Sequence, residues 1–470
     1  MRARGVQPFA RSFERPEALA DIRARYQSLG PDVLEDERVR VAGRVVLARR
    51  HGKLTFFTLR DRSGDLQLFC TEQELGDAYW LVEEIDLGDI IGAEGRVMTT
   101  KRGELSVRVD RLTVLTKALR PLPEKWHGLR DPDLQQRKRY LHLIADPTPR
   151  DYTVARAKVL RTVRAGLDSR GYVEVETPVL QPVAGGALAK PFTTHHSVLD
   201  MDLKLRISLE LFLKRLLVGG MERVYEIGRT FRNEGVDREH NPEFTMLELY
   251  QAYVDYETMM QLSEDLVTTC AKEVRGTLAF PFRERDLDLS RPWRRVSMLA
   301  AVSEAVGDEV TLDRTDLPAV AERAGVGVDP SWGPGKITQE LFEKKVEKNI
   351  WEPTFVCDFP REVSPLARPH RENAGLTEHF DLVIGGVEVA TAFSELTDPD
   401  EQREKFELQA EQREAGEEEA HPFDEDFLTA LEHGMPPAGG IGIGIDRLLM
   451  VLTDAPSLRD LILFPHQRDD

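Results

Sequence analysis

The sequence predicts an α+β protein in which a small β-barrel precedes a larger domain built on an antiparallel sheet. At 470 residues, the chain is longer than a typical single domain. Short strand-like segments crowd its first quarter, and beyond them strands outnumber helices without a regular alternation of the two. We therefore predict an amino-terminal extension at 1–36, a barrel at 37–116, a linker at 117–147 and a large domain at 148–470.

The barrel prediction rests on five short segments separated by glycine-containing turns. In the last of them, Val107 and Val109 alternate with Arg108 and Asp110, which is the period of a half-buried strand. Five such strands in about 80 residues suit a Greek-key barrel such as an OB-fold. The segments are VRVAGRVVLARR, LTFFTLRD, DLQLFC, DIIGAEGRVMTT and ELSVRVDRLTVL.

The large domain follows a charged linker that contains Pro121 and Pro123. Its first helix is predicted from an apolar stripe formed by Val159, Leu160, Val163 and Leu167. Strands are then predicted at YVEVETPVL, KLRISLEL, RVYEIGRTF, EFTMLELY, TFVCDF, DLVIGGVEVATAF and GGIGIGI.

Composition narrows the possible classes of protein. The net charge of −19 predicts repulsion from nucleic acid, so DNA is not an expected partner and RNA binding would rest on local patches. No apolar run approaches ~20 residues and the amino terminus lacks an apolar signal segment, so we expect a cytoplasmic protein with no membrane partner.

The three cysteines have no paired spacing and are predicted to be buried small apolar residues. The acidic stretch from Asp398 to Asp426 mixes both charge signs at helical spacing, which predicts a solvated helix with a loose loop and not a ligand site.

Two local patterns indicate phosphate chemistry. Residues 231–244 bring an arginine, a carboxylate, a histidine and an aromatic ring close together in FRNEG and HNPEF, and such groups can hold ATP over a carboxylate nucleophile. In GGIGIGIDR, Gly440, Gly442 and Gly444 leave one face of a strand without side chains. Arg447 then lies near the first turn of the following helix, where it can reach a phosphate.

With these patterns, the chain resembles the class II aminoacyl-tRNA synthetases and, within them, the lysine branch of subclass IIb. Motif 1 resembles RGYVEVETPVL, motif 2 runs from RVYEIGRTFRNEG to HNPEFTMLELYQAY, and motif 3 resembles GIGIGIDRLLMVL. KRLLVGG, DFPREVSPLA and FSEL are also similar to the lysine branch. The resemblance covers nearly the whole chain, and three ordered motifs are far more specific than one.

The resemblance implies a class II catalytic domain with a large antiparallel sheet, preceded by an anticodon-binding OB-fold. It implies that L-lysine and ATP give lysyl-adenylate and pyrophosphate, after which lysine passes to the 3′-terminal ribose of tRNA(Lys). It also implies Mg²⁺ as cofactor and a homodimer whose interface involves motif 1 and Pro178.

The resemblance assigns two arginines to catalysis. Arg232 would bridge the α-phosphate and the amino-acid carboxylate, and Arg447 would hold the γ-phosphate. Phe244 would stack on adenine, and Glu234 would accept a hydrogen bond from its amino group. The full set expected at ATP is Arg232, Glu234, His240, Asn241, Phe244, Asp381, Glu388 and Arg447.

Two members of that set, Asp381 and Glu388, match family positions that bind magnesium. They flank the turn at Gly385 and Gly386. Asp381 stands where many relatives have glutamate, which keeps the charge and shortens the reach. Without the resemblance, two carboxylates in an acidic protein are usually surface residues.

The resemblance also predicts a lysine-binding pocket. Glu395 is expected to bind the side-chain ammonium, because a desolvated ammonium needs a carboxylate. Glu248 and Tyr250 share one strand face, and Glu210 resembles the residue that receives the α-amino group. Thr391 replaces a common asparagine and either contacts the lysine carboxylate through its hydroxyl or does not contact it at all. The full lysine-binding set is Gly186, Glu210, Arg232, Glu248, Tyr250, Thr391 and Glu395.

In the barrel, Phe56 is expected to stack on an anticodon base, while Gln67 and Glu104 hydrogen-bond to base edges. Either Phe56 or its neighbour Phe57 must point into the barrel core, because adjacent strand residues face opposite sides. Relatives often carry a longer basic helix before the barrel, so the short extension here is expected to weaken tRNA binding.

Two other functions fit the sequence less well. A non-catalytic RNA-binding or regulatory relative would have lost charged site residues, yet Arg232, Glu234, Asp381, Glu388 and Arg447 are all present. An enzyme that transfers an amino acid to a protein or small molecule would typically lack the barrel. The sequence therefore disfavours both.

Overall fold

The computed structural model describes residues 1–122, 129, 131–414 and 420–467. The chain divides into two compact units, Met1–Leu129 and Arg130–Asp470. The linker predicted at 117–147 lies partly outside the described residues, since 123–128, with Pro123, and 130 are among those left out. The predicted domain boundaries therefore stay a prediction.

The first unit is a closed five-stranded barrel in the order β1-β2-β3-β5-β4, which confirms the OB-fold prediction. Neighbouring strands pair antiparallel except β3 and β5, which pair parallel. Phe57, Leu68 and Val107 are buried in its core. Its strands are β1 (Leu34–His51), β2 (Leu54–Arg60), β3 (Asp65–Thr71), β4 (Ile90–Thr99) and β5 (Leu105–Thr116), and its helices are α1 (Leu19–Arg25), α2 (Glu72–Leu75) and α3 (Trp80–Glu83).

The second unit is built on a large, mainly antiparallel sheet, as predicted. Among the described residues this sheet contains eight strands in the order β14-β15-β16-β17-β18-β11-β10-β6. Only the pair at each edge of the sheet is parallel. The strands of this unit are β6 (Val173–Glu174), β7 (Leu180–Gln181), β8 (Thr193–His196), β9 (Met201–Leu205), β10 (Arg223–Phe231), β11 (Glu243–Ala252), β12 (Ala279–Phe282), β13 (Arg285–Asp288), β14 (Arg294–Ser297), β15 (Thr354–Pro360), β16 (Leu376–Ile384), β17 (Val387–Ser394) and β18 (Ala438–Gly444).

Three helices, α6 (Thr148–Asp168), α8 (Tyr256–Arg275) and α14 (Ile445–Thr453), pack on the face of this sheet that is opposite the site. Val159 on α6, Leu266 on α8 and Leu449 on α14 share one buried cluster with Leu247 and Leu249 of the sheet. Apolar residues at helical spacing face the sheet because burying that stripe removes it from water. The helices are α4 (Pro132–Arg137), α5 (Arg139–Ala145), α6 (Thr148–Asp168), α7 (Glu210–Val218), α8 (Tyr256–Arg275), α9 (Met298–Val306), α10 (Leu317–Arg323), α11 (Pro334–Leu341), α12 (Pro399–Glu414), α13 (Glu425–Glu432), α14 (Ile445–Thr453) and α15 (Leu458–Leu461).

The strand predicted at KLRISLEL is correct only for its first two residues, Lys204 and Leu205, and wrong for the rest. β9 ends at Leu205, and α7 begins at Glu210. Leu209, Leu213 and Leu217 are all buried, and this i, i+4, i+8 spacing continues beyond the predicted strand as a helical stripe. Glu210 therefore lies in the first turn of a helix.

Two further expectations can be compared with the structure. Cys70, Cys270 and Cys357 are buried, which confirms that they act as small apolar residues. Across the described ranges, none of the helices has both the length and the apolar content that crossing a bilayer requires.

Candidate active site

The central strand β11 presents the site on one face and the core on the other. Its register puts Phe244, Glu248 and Tyr250 on the side opposite to Leu247 and Leu249, which are fully buried against the helices. The alternation that makes this strand half apolar therefore also aligns the site residues.

The neighbouring glycine strand β18 has different constraints along its length. Gly440 lies opposite Tyr250, and a Cβ at 440 would overlap both the Tyr250 ring and the Glu395 carboxylate. At Gly442 a Cβ would find its nearest heavy atom, Glu248 Cγ, at 3.7 Å, which is an ordinary contact. Protein atoms thus require glycine at 440, whereas Gly442 borders an open cleft.

We call that opening the arginine cleft, because Arg232 and Arg447 lie on its walls. Arg232 follows β10 directly, and its guanidinium carbon is 5.2 Å from the centre of the Phe244 ring. Burial lowers the pKa of Arg232, and Glu234 partly offsets this effect. The cleft is lined by Arg232, Glu234, Gly235, Glu239, His240, Asn241, Phe244, Thr245, Met246, Glu388, Val389, Ala390, Thr391, Gly442, Gly444, Asp446, Arg447 and Leu458.

Arg447 is positioned by helix α14. The preceding Asp446 accepts a hydrogen bond from the backbone N–H of Thr245 at 2.7 Å, which ties the helix to β11. Arg447 donates to the Glu388 backbone oxygen at 3.1 Å and to Glu388 Oε1 at 3.0 Å. Burial acts to lower the pKa of Arg447, but Glu388 and Glu347 outweigh it, so that the pKa is raised.

The loop between β10 and β11 contributes His240 and Asn241 to the cleft. His240 Nδ1 lies 2.8 Å from Asp237 Oδ2, and its Nε2 lies 3.4 Å from a terminal nitrogen of Arg447. Asn241 donates to the Glu243 carbonyl at 2.6 Å, while its own Oδ1 is buried with no hydrogen-bond partner among the described residues. That oxygen is available to accept a hydrogen bond from a ligand.

Next to the cleft, four predicted lysine-binding residues meet in a closed cluster with a fifth, Lys214. We call Glu210, Lys214, Glu248, Tyr250 and Glu395 the carboxylate pocket. All five are at most 4% exposed. The Lys214 ammonium lies 2.5 Å from Glu210 Oε1 and 2.5 Å from Glu395 Oε2. The pocket therefore contains three carboxylates and one internal cation.

Burial strongly affects these carboxyl groups. It raises the pKa of Glu395 to about 8, with Lys214 opposing the shift, and it raises the pKa of Glu248 to about 7, assisted by Glu210. Glu248 accepts hydrogen bonds from Ser208 Oγ and the Leu209 N–H at 2.9 Å each. Neither carboxylate oxygen of Glu395 has a hydrogen-bond partner of normal geometry among the described residues, although Lys214 pairs with it.

Gly186 borders this pocket on a turn with a positive φ of 89°. A Cβ there would lie 2.9 Å from Ser208 Oγ and 3.1 Å from Glu210 Cβ. The absence of a side chain lets the backbone lie against the start of α7.

Asp381 and Thr391 are opposite each other on β16 and β17, and His379 connects them. His379 Nε2 is 3.0 Å from Thr391 Oγ1 and 3.3 Å from Asp381 Oδ1. Thr391 lines the cleft, whereas Asp381 is not among the lining residues. Burial raises the pKa of Glu388, and the nearby Asp381 carboxylate raises it further.

Sequence reasoning missed three charged or titratable neighbours of the site. Lys214 lies in KRLLVGG, a segment already associated with the lysine branch, so that segment was the available signal. Burial, Glu388 and Asp381 together raise the pKa of Glu347 to about 8, but no sequence pattern pointed to this residue. His379 likewise had no signal, because its contacts with Thr391 and Phe359 cross between strands.

On the barrel, Phe57 is fully buried, whereas Phe56 is half-buried and lies edge-on to Phe69 at a centroid distance of 5.4 Å. Phe56, Gln67 and Glu104 border one surface hollow. Gln67 already bonds within the protein: it donates to Ser106 Oγ at 2.8 Å and accepts from Arg49 at 2.5 Å. The predicted anticodon residues are thus close together, and their roles stay a prediction.

Comparisons with known proteins agree with this architecture. A family model described as tRNA synthetases class II (D, K and N) matches residues 131–468, and one described as an OB-fold nucleic acid binding domain matches residues 39–115. Relatives named lysine–tRNA ligase include proteins of Moorella thermoacetica and Carboxydothermus hydrogenoformans, 51% and 50% identical, over 99% and 100% of this chain and 94% and 96% of theirs. The relative of that name from Bacillus subtilis is 48% identical over 100% of this chain and 95% of its own. The chain therefore belongs to the class II tRNA synthetases (D, K and N), which confirms the resemblance found in its motifs.

Proposed function

We propose that the protein is a lysine–tRNA ligase. It activates L-lysine with ATP to lysyl-adenylate and pyrophosphate, and then transfers lysine to the 3′-terminal ribose of tRNA(Lys). The observation that carries the choice of amino acid is the carboxylate pocket, in which Glu210 and Glu395 pair with one internal cation, Lys214, and Glu248 is a third buried carboxylate. Relatives at about half identity are named for the same reaction.

The charge balance of the pocket supports lysine as the substrate. With all three carboxylates ionised, one internal ammonium leaves two negative charges that are costly to bury. The two ammonium groups of a lysine substrate compensate them. An aspartate or asparagine side chain offers no cation, and its oxygen atoms would face these carboxylates.

Within the arginine cleft, Arg232 and Arg447 neutralise phosphate charge while the amino-acid carboxylate attacks. A carboxylate oxygen bonds to the α-phosphorus, and the bond from that phosphorus to the β-phosphate oxygen breaks, releasing pyrophosphate. This reaction needs positioning and charge stabilisation rather than a general base. Phe244 would stack on adenine, with contacts from Glu234, His240 and Asn241.

We propose Mg²⁺ as the cofactor, held by Asp381 and Glu388 together with the phosphates of ATP. The donor set fits, because magnesium prefers carboxylate oxygens and commonly uses one or two of them alongside substrate phosphates. Among the described residues there is no group of three or more potential ligands already arranged for a metal, so the phosphates would complete the site. When bound, the ion would neutralise phosphate charge, and Glu347 would be a nearby third carboxylate.

The assignment to tRNA extends to the barrel and the assembly. Phe56, Gln67 and Glu104 would read the anticodon, with Arg49 released from Gln67 to face the RNA backbone.

We further propose a homodimer formed through motif 1, cytoplasmic localisation beside the tRNA pool, and the four domain boundaries predicted from the sequence.

The test is pyrophosphate exchange into ATP without tRNA, with lysine, aspartate and asparagine in parallel. We expect exchange with lysine alone, and subsequent charging of tRNA(Lys). Exchange with aspartate or asparagine would reject the assignment of the pocket. Absence of exchange with all three would reject the enzyme function.

A further inference from the structure

A buried histidine lies in the acidic stretch from Asp398 to Asp426, whose charge pattern predicts a solvated helix with a loose loop. His421 is 1% exposed and stands between α12 and α13. Its ring stacks on Phe406 with a centroid distance of 4.7 Å and an interplanar angle of 8°. Residues 415–419 of this stretch lie outside the described residues, but His421 is part of the core.

Its two ring nitrogens have partners that allow only one tautomer. Nδ1 lies 2.7 Å from the Pro422 carbonyl oxygen, which can only accept, so Nδ1 carries the proton. Nε2 then accepts a hydrogen bond from the backbone N–H of Gly186 at 2.7 Å. Burial lowers the pKa of His421 to about 4, which keeps the ring neutral and Nε2 free to accept at physiological pH.

The segment held by this bond is the turn at Gly185 and Gly186, here called the pocket turn. At Gly185 a Cβ would lie 2.5 Å from His421 Nε2. On its other side, Gly186 approaches Ser208 and Glu210 so closely that a Cβ would lie 2.9 Å from Ser208 Oγ. The pocket turn is therefore confined between His421 and the residues that begin α7.

The two residues that the pocket turn contacts, Ser208 and Glu210, also interact with members of the carboxylate pocket. Ser208 donates to Glu248 at 2.9 Å, and Glu210 forms an ion pair with Lys214. A shift of the pocket turn would therefore change the wall against which the Glu210 and Glu248 carboxylates are set. Neither Gly185 nor Gly186 is among the residues that line the arginine cleft.

We propose that His421 is a positioning residue for the amino acid: it holds the pocket turn against the wall of the carboxylate pocket through the Gly186 N–H. The inference rests on the proposed function, because it assigns a role in the binding of lysine. His421 acts through Gly186 and does not touch the substrate.

Two amide substitutions separate the two hydrogen bonds of the ring. In H421Q the side-chain oxygen can occupy the place of Nε2 and accept from Gly186. In H421N the shorter amide can replace Nδ1 toward Pro422 but does not reach Gly186. We expect H421N to raise KM for lysine roughly tenfold, the size associated with one lost buried hydrogen bond, and to leave KM for ATP unchanged. H421Q should stay within about threefold of the parent protein for both substrates.

A matched control is the buried His142, which contacts Arg139 and Asp146. H142N makes the same chemical change and should not alter KM for lysine. A second variant approaches the contact from the opposite side. In G185A the new methyl group would press on His421 and on Leu211 of α7, so it should displace the pocket turn and give the same lysine-specific defect. This second route tests the proposal even if H421N does not fold.

Pyrophosphate exchange with lysine and ATP varied separately measures these effects. The inference is overturned if H421N and G185A leave KM for lysine unchanged, if KM for lysine and ATP rise equally, or if H421Q is as impaired as H421N. Absence of lysine-dependent exchange in the unsubstituted protein would instead reject the proposed function, so the two failures are distinguishable.

Discussion

The arginine cleft and the carboxylate pocket lie on the same face of one sheet, yet they treat charge in opposite ways. The cleft is open and exposes cations, Arg232 and Arg447, to a ligand that brings negative charge. The pocket is closed around buried carboxylates and already contains the cation Lys214. The cleft can bind by Coulomb attraction, whereas the pocket must also offset the cost of desolvating its own charges.

This difference has a consequence for specificity. Phosphates are recognised by groups that keep some access to water, so the energetic penalty for a poor fit is modest. In the pocket, an ammonium that fails to arrive leaves Glu395 with no hydrogen-bond donor of normal geometry in the described part of the chain. Discrimination between amino acids should therefore come from the pocket, and rate enhancement from the cleft.

The strongest test of this comparison is R232Q. We expect kcat for pyrophosphate exchange to fall roughly 10²- to 10³-fold, because a charge that stabilises the transition state is removed. KM for lysine should also rise, because Arg232 is expected to contact the amino-acid carboxylate, but by a much smaller factor. R229Q is the matched control, because Arg229 is an exposed arginine on β10, the strand that leads to Arg232. It lies next to Thr230, which pairs with Phe244. A larger effect on lysine KM than on kcat would contradict the division of roles.

The second test is E395Q, which keeps the shape of the side chain and removes its charge. We expect kcat/KM for lysine to fall roughly 10²-fold, because removing one charge of a buried ion pair is costly. KM for ATP should be unaffected. E222Q, at an exposed glutamate, makes the same change outside the site. Thermal unfolding of each variant separates binding from folding, and equal losses for both substrates would reject Glu395 as the lysine-specific group.

The glycine strand allows the two regions to be perturbed separately by one methyl group. G440A should raise KM for lysine roughly tenfold or more, because its Cβ overlaps Tyr250 and Glu395. G442A leaves the fold unstrained, since its nearest contact is 3.7 Å, and should mainly raise KM for ATP. If both variants affected the same substrate, the cleft and pocket would not be separable.

The smallest effect is the pH dependence of lysine use. The pKa of Glu248 is raised to about 7 and that of Glu395 to about 8, so these groups become carboxylates as pH rises through that window. An ammonium binds the ionised form, and kcat/KM for lysine should therefore rise about tenfold between pH 6 and 8.

Folding stability should respond with the opposite sign. Between pH 4.5, the usual pKa of the Glu248 carboxyl, and its raised value of about 7, the folded protein binds more protons than the unfolded chain. The free energy of unfolding of the ligand-free protein should consequently fall as pH rises through this window.

For the kinetic prediction, the contradicting outcome is a kcat/KM for lysine that stays the same from pH 6 to 8 while Glu395 is intact. That result would reject Glu248 and Glu395 as the carboxylates that bind the ammonium.

Several parts of the fold follow from local pattern. RVYEIGRTF became β10 with the predicted ends, and DLVIGGVEVATAF became a hairpin whose turn residues Gly385 and Gly386 both have positive φ. Period-two alternation and turn glycines are properties of short segments, so the sequence reveals them without knowledge of distant contacts. The error at KLRISLEL arose where a helix begins shortly after a strand ends, at Glu210 after Leu205, so that one apolar pattern extends over both elements.

The contacts of the candidate site residues also differ in whether the sequence predicts them. Residues within one motif, such as Arg232 and Phe244, were predicted near each other and lie in contact. The pairing of Lys214 with Glu395 joins helix α7 to the end of β17, and the bond from Gly186 to His421 spans 235 positions. Such pairs have no periodicity or spacing that a single sequence displays.

By itself, therefore, the sequence determined the barrel, the antiparallel sheet, the arginines of the phosphate motifs and the membership of a synthetase family. Only the tertiary structure decided that Lys214 shares the carboxylate pocket and that His421, in a stretch of surface-like composition, is buried against the pocket turn. The physical reason is that strand period and turn chemistry act between near neighbours in the chain. Desolvation and charge pairing depend instead on which distant residues the fold brings together.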